Sequence, residues 1–159
     1  MNLQDLHALF NYTHWANRRI LATSAQVSDA QFTAPAAHSW GSLRGTLIHM
    51  LDTEYGWRMI CQHNTETDVL TEADLPTLAD IANRWGEEEA AMQGYLVSLS
   101  DADLSSIVRK HQLQHYLFHI VNHSTLHRSE CAVMLTDYGA SPGDLDFTDF
   151  LSTPQEPND

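Results

Sequence analysis

Apolar side chains recur along this chain with the period of amphipathic helices, and no stretch shows the strict alternation of a half-buried strand. Four long segments carry the pattern. The first runs from about Leu3 to Thr23, with Leu3, Leu6, Phe10, Ile20 and Leu21 on its apolar side, Asn2 placed to cap it and Asp5 in its first turn. The second starts at Ser42 and continues to about Gln62, and Leu43, Leu47, Ile48, Leu51, Tyr55, Met59 and Ile60 mark its buried side. The third opens on a capping-box pattern, Thr77 with Asp80, followed by Leu78, Ile81, Trp85, Met92, Leu96 and Leu99. The fourth covers about Gln112 to Tyr138 and stops where Gly139 supplies a C′ residue and Pro142 prevents continuation.

The connections differ in character. Residues 24–41 contain Pro35, Ser39 and Gly41 and read as a linker with room for one short helical turn. Residues 63–74 form a polar loop, and residues 100–110 join the third helix to the fourth, with Ile107 and Val108 as a short extended piece. Four amphipathic helices without strands predict an all-α fold, a four-helix bundle. The expected organisation is one domain over residues 1–151 and a polar, proline-containing tail over 152–159.

Composition narrows the class. A chain of 159 residues with 43% hydrophobic side chains suits a single domain with a real core. Its net charge of -13, with only eight Lys and Arg, leaves no positive footprint for a phosphate backbone or an anionic bilayer, so neither nucleic acid nor membrane is expected as a partner. No apolar run approaches a membrane span, and the N-terminus lacks the basic and apolar regions of a targeting signal. Two cysteines, Cys61 and Cys131, do not make a disulfide scaffold, and a cytoplasmic location follows as the expectation.

Ten histidines are an unusual number for a helical bundle of this size. His111, His115, His119, His123 and His127 recur at every fourth residue, and each such step turns about 40° around a helix axis, so they cannot all face one way. His127 shares its column with Leu113, Ile120 and Met134, which places it inward, and His123 lies one step aside. His119 and His115 drift toward the surface. Two histidines at i and i+4 on one helical face can reach a single ion. Ser124 stands where a zinc protease would carry its glutamate, which disfavours that chemistry.

His49, inside the apolar second helix, is the best third ligand, because the small or polar residues expected around it, Gly45, Thr46, Asp52 and Thr53, leave room for an ion and something bound to it. Three neutral imidazoles with an open fourth position describe a catalytic type of metal site. Asp52 and Glu130 are candidates to orient a ligand imidazole, and Cys131, one turn beyond His127, to approach the same ion or to stay a buried inert thiol. Spacing alone leaves open a set of hydrogen-bonded core histidines. His7 and His14 read as structural or surface residues, and Trp15, Trp40, Trp57 and Trp85 as core and interface anchors.

Three stretches, FNYTHWANRRIL at 10–21, SWGSLRGTLIHMLDTEYGW at 39–57 and HIVNHSTLHRSE at 119–130, resemble the DinB/YfiT-like family of small metal-binding four-helix bundles, and YGASPGDLDFTDFL at 138–151 is similar to that family's ending. The resemblance implies a four-helix bundle with an unusual connection order, often a homodimer. It implies a metal triad of one histidine on the second helix and a His-x3-His on the fourth, which fall here on His49, His123 and His127. It further implies a divalent metal, with zinc and nickel the leading choices, and a small-molecule substrate. The activity implied is that of a metal-dependent thiol S-transferase using a low-molecular-weight thiol in detoxification or stress response. The alternatives are a hydrolase using metal-bound water and a non-enzymatic metal- or ligand-binding stress protein. The chain departs from the family's common His-His-Arg-Gly-Gln, reading Leu126-His127-Arg128-Ser129-Glu130 and placing a carboxylate close to the site.

Overall fold

A computed structural model describes residues 1–153; most of the polar tail expected at 152–159 lies outside the described residues. The four expected helices form as α1 (Leu3–Ser24), α3 (Leu43–His63), α4 (Leu78–Val97) and α5 (Leu113–Asp137), joined by a one-turn helix α2 (Asp29–Phe32) and followed by α6 (Phe147–Ser152). Local chemistry sets the starts. Asn2 with Asp5 and Thr77 with Asp80 are reciprocal capping boxes, and Ser42 accepts the Gly45 amide at the head of α3. The linker turn expected in 24–41 is α2, with its own box of Ser28 and Gln31. Ile107–Val108 (β1) pairs antiparallel with His111–Gln112 (β2) in a tight hairpin whose turn holds Arg109 at φ +53°. His111 therefore sits on a strand and not on the last helix. The helix α6 was not foreseen; its Phe147 and Phe150 pack against Tyr12 and Trp15, with ring centroids 5.3 Å apart for Tyr12–Phe147 and 5.7 Å for Trp15–Phe150.

Contacts across the seams give the helix directions. Asn11 meets Gln93 and Arg18 meets Glu89, so α1 and α4 run opposite ways. Glu54 meets Trp85 and Arg58 meets Glu88, so α3 and α4 run the same way. His49 meets His123 and Trp57 meets Tyr116, so α3 and α5 are antiparallel. The bundle is therefore up-down-down-up, and residues 64–77 form the long crossover that two parallel consecutive helices require. That crossover is tied down by Leu70 N–H donating to Asp52 at 2.8 Å and by Arg109 on Glu66 at 2.9 Å.

Two apolar cores fill the bundle, one around Leu47, Leu51, Ile81, Trp85 and Leu135, the other around Leu6, Phe10, Met92, Leu96 and Leu117. Between them lies a polar layer. Buried His14 is 3.0 Å from Glu54 Oε1, and the Trp85 indole N–H donates to Glu54 Oε2 at 3.3 Å. Arg58 donates twice to Glu88, at 2.5 and 2.8 Å, and buried Arg128 donates to Asn17 at 3.1 Å. His14 is thus structural. No described helix is long and apolar enough to cross a membrane.

Candidate metal centre

The seam between α3 and α5 brings His49, His123 and His127 together. One nitrogen from each lies within 4.8 Å of the others, and the ring centroids stand 4.8 Å (His49–His123), 4.8 Å (His49–His127) and 4.4 Å (His123–His127) apart. The antiparallel packing of the two helices closes a separation of more than seventy residues, while the i, i+4 spacing on α5 sets two rings one turn apart. His49 Nε2 and His123 Nε2 face each other at 3.0 Å. His127 spends its Nδ1 on Glu130 Oε2 at 2.6 Å, which leaves Nε2 available to an ion.

Burial, with the neighbouring His127 adding to it, pushes the pKa of His49 and of His123 down from 6.5 to about 4. Both rings are neutral at physiological pH, the state in which an imidazole offers a lone pair to a metal. Two nitrogens each 2.0–2.1 Å from one zinc ion stand about 3.4 Å apart in a tetrahedral site, within the range these side chains already occupy. Among the described residues His123 Nδ1 is buried without a hydrogen-bond partner, and its Nε2 meets only His49. The donor set fits a divalent ion.

Those depressed values make the metal-free protein acid-sensitive. As the pH falls from 6.5 toward about 4, the unfolded chain takes up protons at positions 49 and 123 while the folded chain does not, so folding stability drops through that window and is recovered above it. The thermal midpoint of the metal-free protein should therefore fall across this range, and less steeply in a His49→Gln, His123→Gln double variant. Equal slopes would contradict the assignment.

The neighbours divide the roles anticipated for them. Glu130 holds the His127 ring and accepts the Ser39 hydroxyl at 2.5 Å; burial alone would raise its carboxyl, but hydrogen bonds from Ser39 and His127 hold it below the ordinary glutamate value. Asp52 does not take that part, because its Oδ1 is engaged by the Leu70 amide. Cys131 is fully buried, lies outside the convergent group, and has its thiol pushed up by desolvation, as an inert core thiol would. Cys61 is also desolvated, to about 12.

Two expectations need correcting. Trp40 is not a core anchor: it is 55% exposed and lies flat on His49, with ring centroids 3.7 Å and planes 19° apart. Nor does Gly45 provide space for an ion; a Cβ there would overlap the Trp40 carbonyl oxygen, so Gly45 lets the linker cross the start of α3. Ser39, at φ +58°, and Thr46, which donates to it at 2.9 Å, fasten the same loop. The roles of Ser39 and Trp40 were missed, although the resembling stretch 39–57 begins on them.

The model of the DinB family matches residues 1–158. The chain belongs to the DinB family. No curated protein matches it. In this DinB-family chain His49, His123 and His127 form a group whose nitrogens could hold one metal ion.

Glu130 offers a direct check on the outer part of the centre. Partners that hold a ligand imidazole from behind contribute about 10–100-fold to metal affinity. Glu130→Ala should weaken binding by that amount, and Glu130→Gln, which keeps an acceptor oxygen for His127, should lose less. Calorimetric titration of a divalent ion into the three proteins separates these outcomes, and three equal affinities would remove Glu130 from the centre.

Proposed function

We propose that this protein is a metal-dependent thiol S-transferase, with a divalent ion, zinc or nickel, on His49, His123 and His127 and a low-molecular-weight thiol as cosubstrate. The observation that carries this reading is the convergence of three imidazoles with no Cys, Asp or Glu in the same group among the described residues. Three protein ligands with room for one more is the pattern of catalytic centres, where four ligands mark structural ones. A divalent ion bound there supplies the charge that lowers the pKa of a thiol and makes thiolate available at neutral pH.

The side chains supply the rest. His49 and His123 stay unprotonated through burial, Glu130 fixes the ring of His127, and Trp40 covers one face of His49. In the transfer a thiol loses its S–H proton and forms a new C–S bond. The bond from that carbon to the leaving group breaks, and the leaving group departs with the electron pair and takes up a proton. The two nearby carboxylates are held by other groups, Glu130 by His127 and Ser39 and Asp52 by the Leu70 amide, which favours neither as a base for hydrolysis.

The test is a screen of metal-loaded protein with a panel of small thiols and 1-chloro-2,4-dinitrobenzene. A thiol-dependent rate at least about tenfold above that of metal-stripped protein supports the reading. Protein shown to contain metal that gives no rate with any thiol would sink it, and ester turnover without thiol would mark a hydrolase. A cytoplasmic homodimer belongs to the same proposal. Phe118, Leu126 and Val133, all exposed on the outer side of α5, supply an apolar stripe for pairing, which light scattering would register as a doubled mass.

A further inference from the structure

The α3–α5 seam continues beyond the triad as a row of rings. His119 stands against His123, with centroids 5.6 Å apart, and meets Trp57 edge-on at 5.5 Å. Trp57 stacks on Tyr116 at 5.0 Å and 29°, and His111 closes the row against Tyr116 at 5.7 Å. With His115 these side chains line a cleft of about 230 Å³. We infer that this cleft is a subsite for one uncharged aromatic ring, placed so that a substituent on the bound ring reaches the histidine triad. The inference deepens the transferase reading by naming the class of its electrophile, and its link to catalysis rests on that reading.

Size, wall chemistry and position argue for this occupant. A dry cavity of about 150 Å³ takes a benzene molecule, so an open cleft of about 230 Å³ has the scale of one ring with a substituent. Every residue of the lining carries a ring, and rings recognise one another through offset or edge-on contacts at 4.5–7 Å, which a saturated ligand of equal volume cannot reproduce. Among the described residues no carboxylate lines the cleft, so no opposite charge there neutralises a cationic ligand. The lining histidines are not a second metal group either, because among the described residues their nitrogens do not converge as those of the triad do. His119 lines the cleft and its ring stands 5.6 Å from that of His123, which sets the cleft beside the triad. The larger cavity of about 770 Å³, between the end of α1, α2 and the start of α4, is lined by such residues as Leu21, Val27, Phe32 and Leu78 and contains none of the histidines.

Binding tests the subsite separately from catalysis. Benzyl alcohol and cyclohexylmethanol are titrated into the full-length protein, metal-stripped and metal-loaded, while the indole N–H signal of Trp57 is followed by NMR. Benzyl alcohol should shift that signal and bind at least about tenfold more tightly than its saturated counterpart. Trp57→Leu should abolish the preference, and His123→Ala should keep it even after losing metal. Ring selectivity in a protein without transferase activity would support the subsite and remove only the catalytic reading. Equal affinity for the two alcohols, a shift map that avoids Trp57, or an undiminished preference in Trp57→Leu would overturn the subsite even where thiol transfer is found. The shift map on the parent protein decides the matter if Trp57→Leu does not fold.

Discussion

Purified His123→Ala protein is expected to bind a divalent ion more than about 100-fold less tightly than the parent, beyond the range associated with losing an outer partner of a ligand. His123 is the middle member of the triad. Its Nε2 faces His49 Nε2 at 3.0 Å, and its ring lies nearest to that of His127, at 4.4 Å. Removing it leaves two imidazoles on different helices and no other convergent Cys, Asp or Glu among the described residues of that group. Elemental analysis of untagged parent and variant reads the result directly. Stability gives a second readout: a site occupied at about a thousandfold above its dissociation constant adds about 4 kcal/mol to the folded state, and the variant should show no such gain on adding metal. Near-stoichiometric metal in both proteins would move the centre away from His123. No metal in the parent, even after reconstitution, would return the triad to ordinary core histidines.

The second large effect lies in the polar layer between the two cores. Glu88 is fully buried and takes two hydrogen bonds from Arg58, whose side chain is itself only 9% exposed. Burial pushes the Glu88 carboxyl above its ordinary value despite the opposing pull of Arg58, so desolvation is the larger influence on it. Glu88→Ala leaves the guanidinium of Arg58 in the bundle interior without its partner, and also deprives Arg84, 3.7 Å from Glu88. Removing one partner of such a pair costs about 3–5 kcal/mol, a large share of the stability of a domain of this size. Replacing both members together, as Arg58→Leu with Glu88→Met, should cost much less, because no charge is then stranded. Urea unfolding of the single and double variants measures both. A single variant within about 1 kcal/mol of the parent would mean that water reaches Arg58 once Glu88 is gone.

The bundle was legible because its signals are local. Capping residues at Asn2, Ser42 and Thr77, helix-period apolar positions, and Gly139 with Pro142 act within a few residues of where they stand, so helix limits can be placed from the chain alone. The inward turn of His123 and His127 followed from helical geometry, and His49 from its apolar setting. The unforeseen parts depend on segments distant in sequence. The helix α6 is too short to announce itself by periodicity, and its two phenylalanines pack against Tyr12 and Trp15 at the other end of the chain. Trp40 was misplaced because an aromatic residue in a linker reads as a core anchor until the linker's path over α3 is known.

The sequence by itself determined that the chain forms four amphipathic helices, that two histidines of α5 turn inward, and, through its motifs, that it is a DinB-family bundle. Helical period and capping are properties of neighbouring residues, and they survive without knowledge of the whole. Only the tertiary structure decided that α3 and α4 run parallel, that Glu130 and not Asp52 stands behind a triad imidazole, and that Trp57 and Tyr116 extend the seam into a cleft. Each of these depends on which helix faces which across the bundle. A residue's local pattern says that it points inward, and the packing of the other helices decides what it meets there.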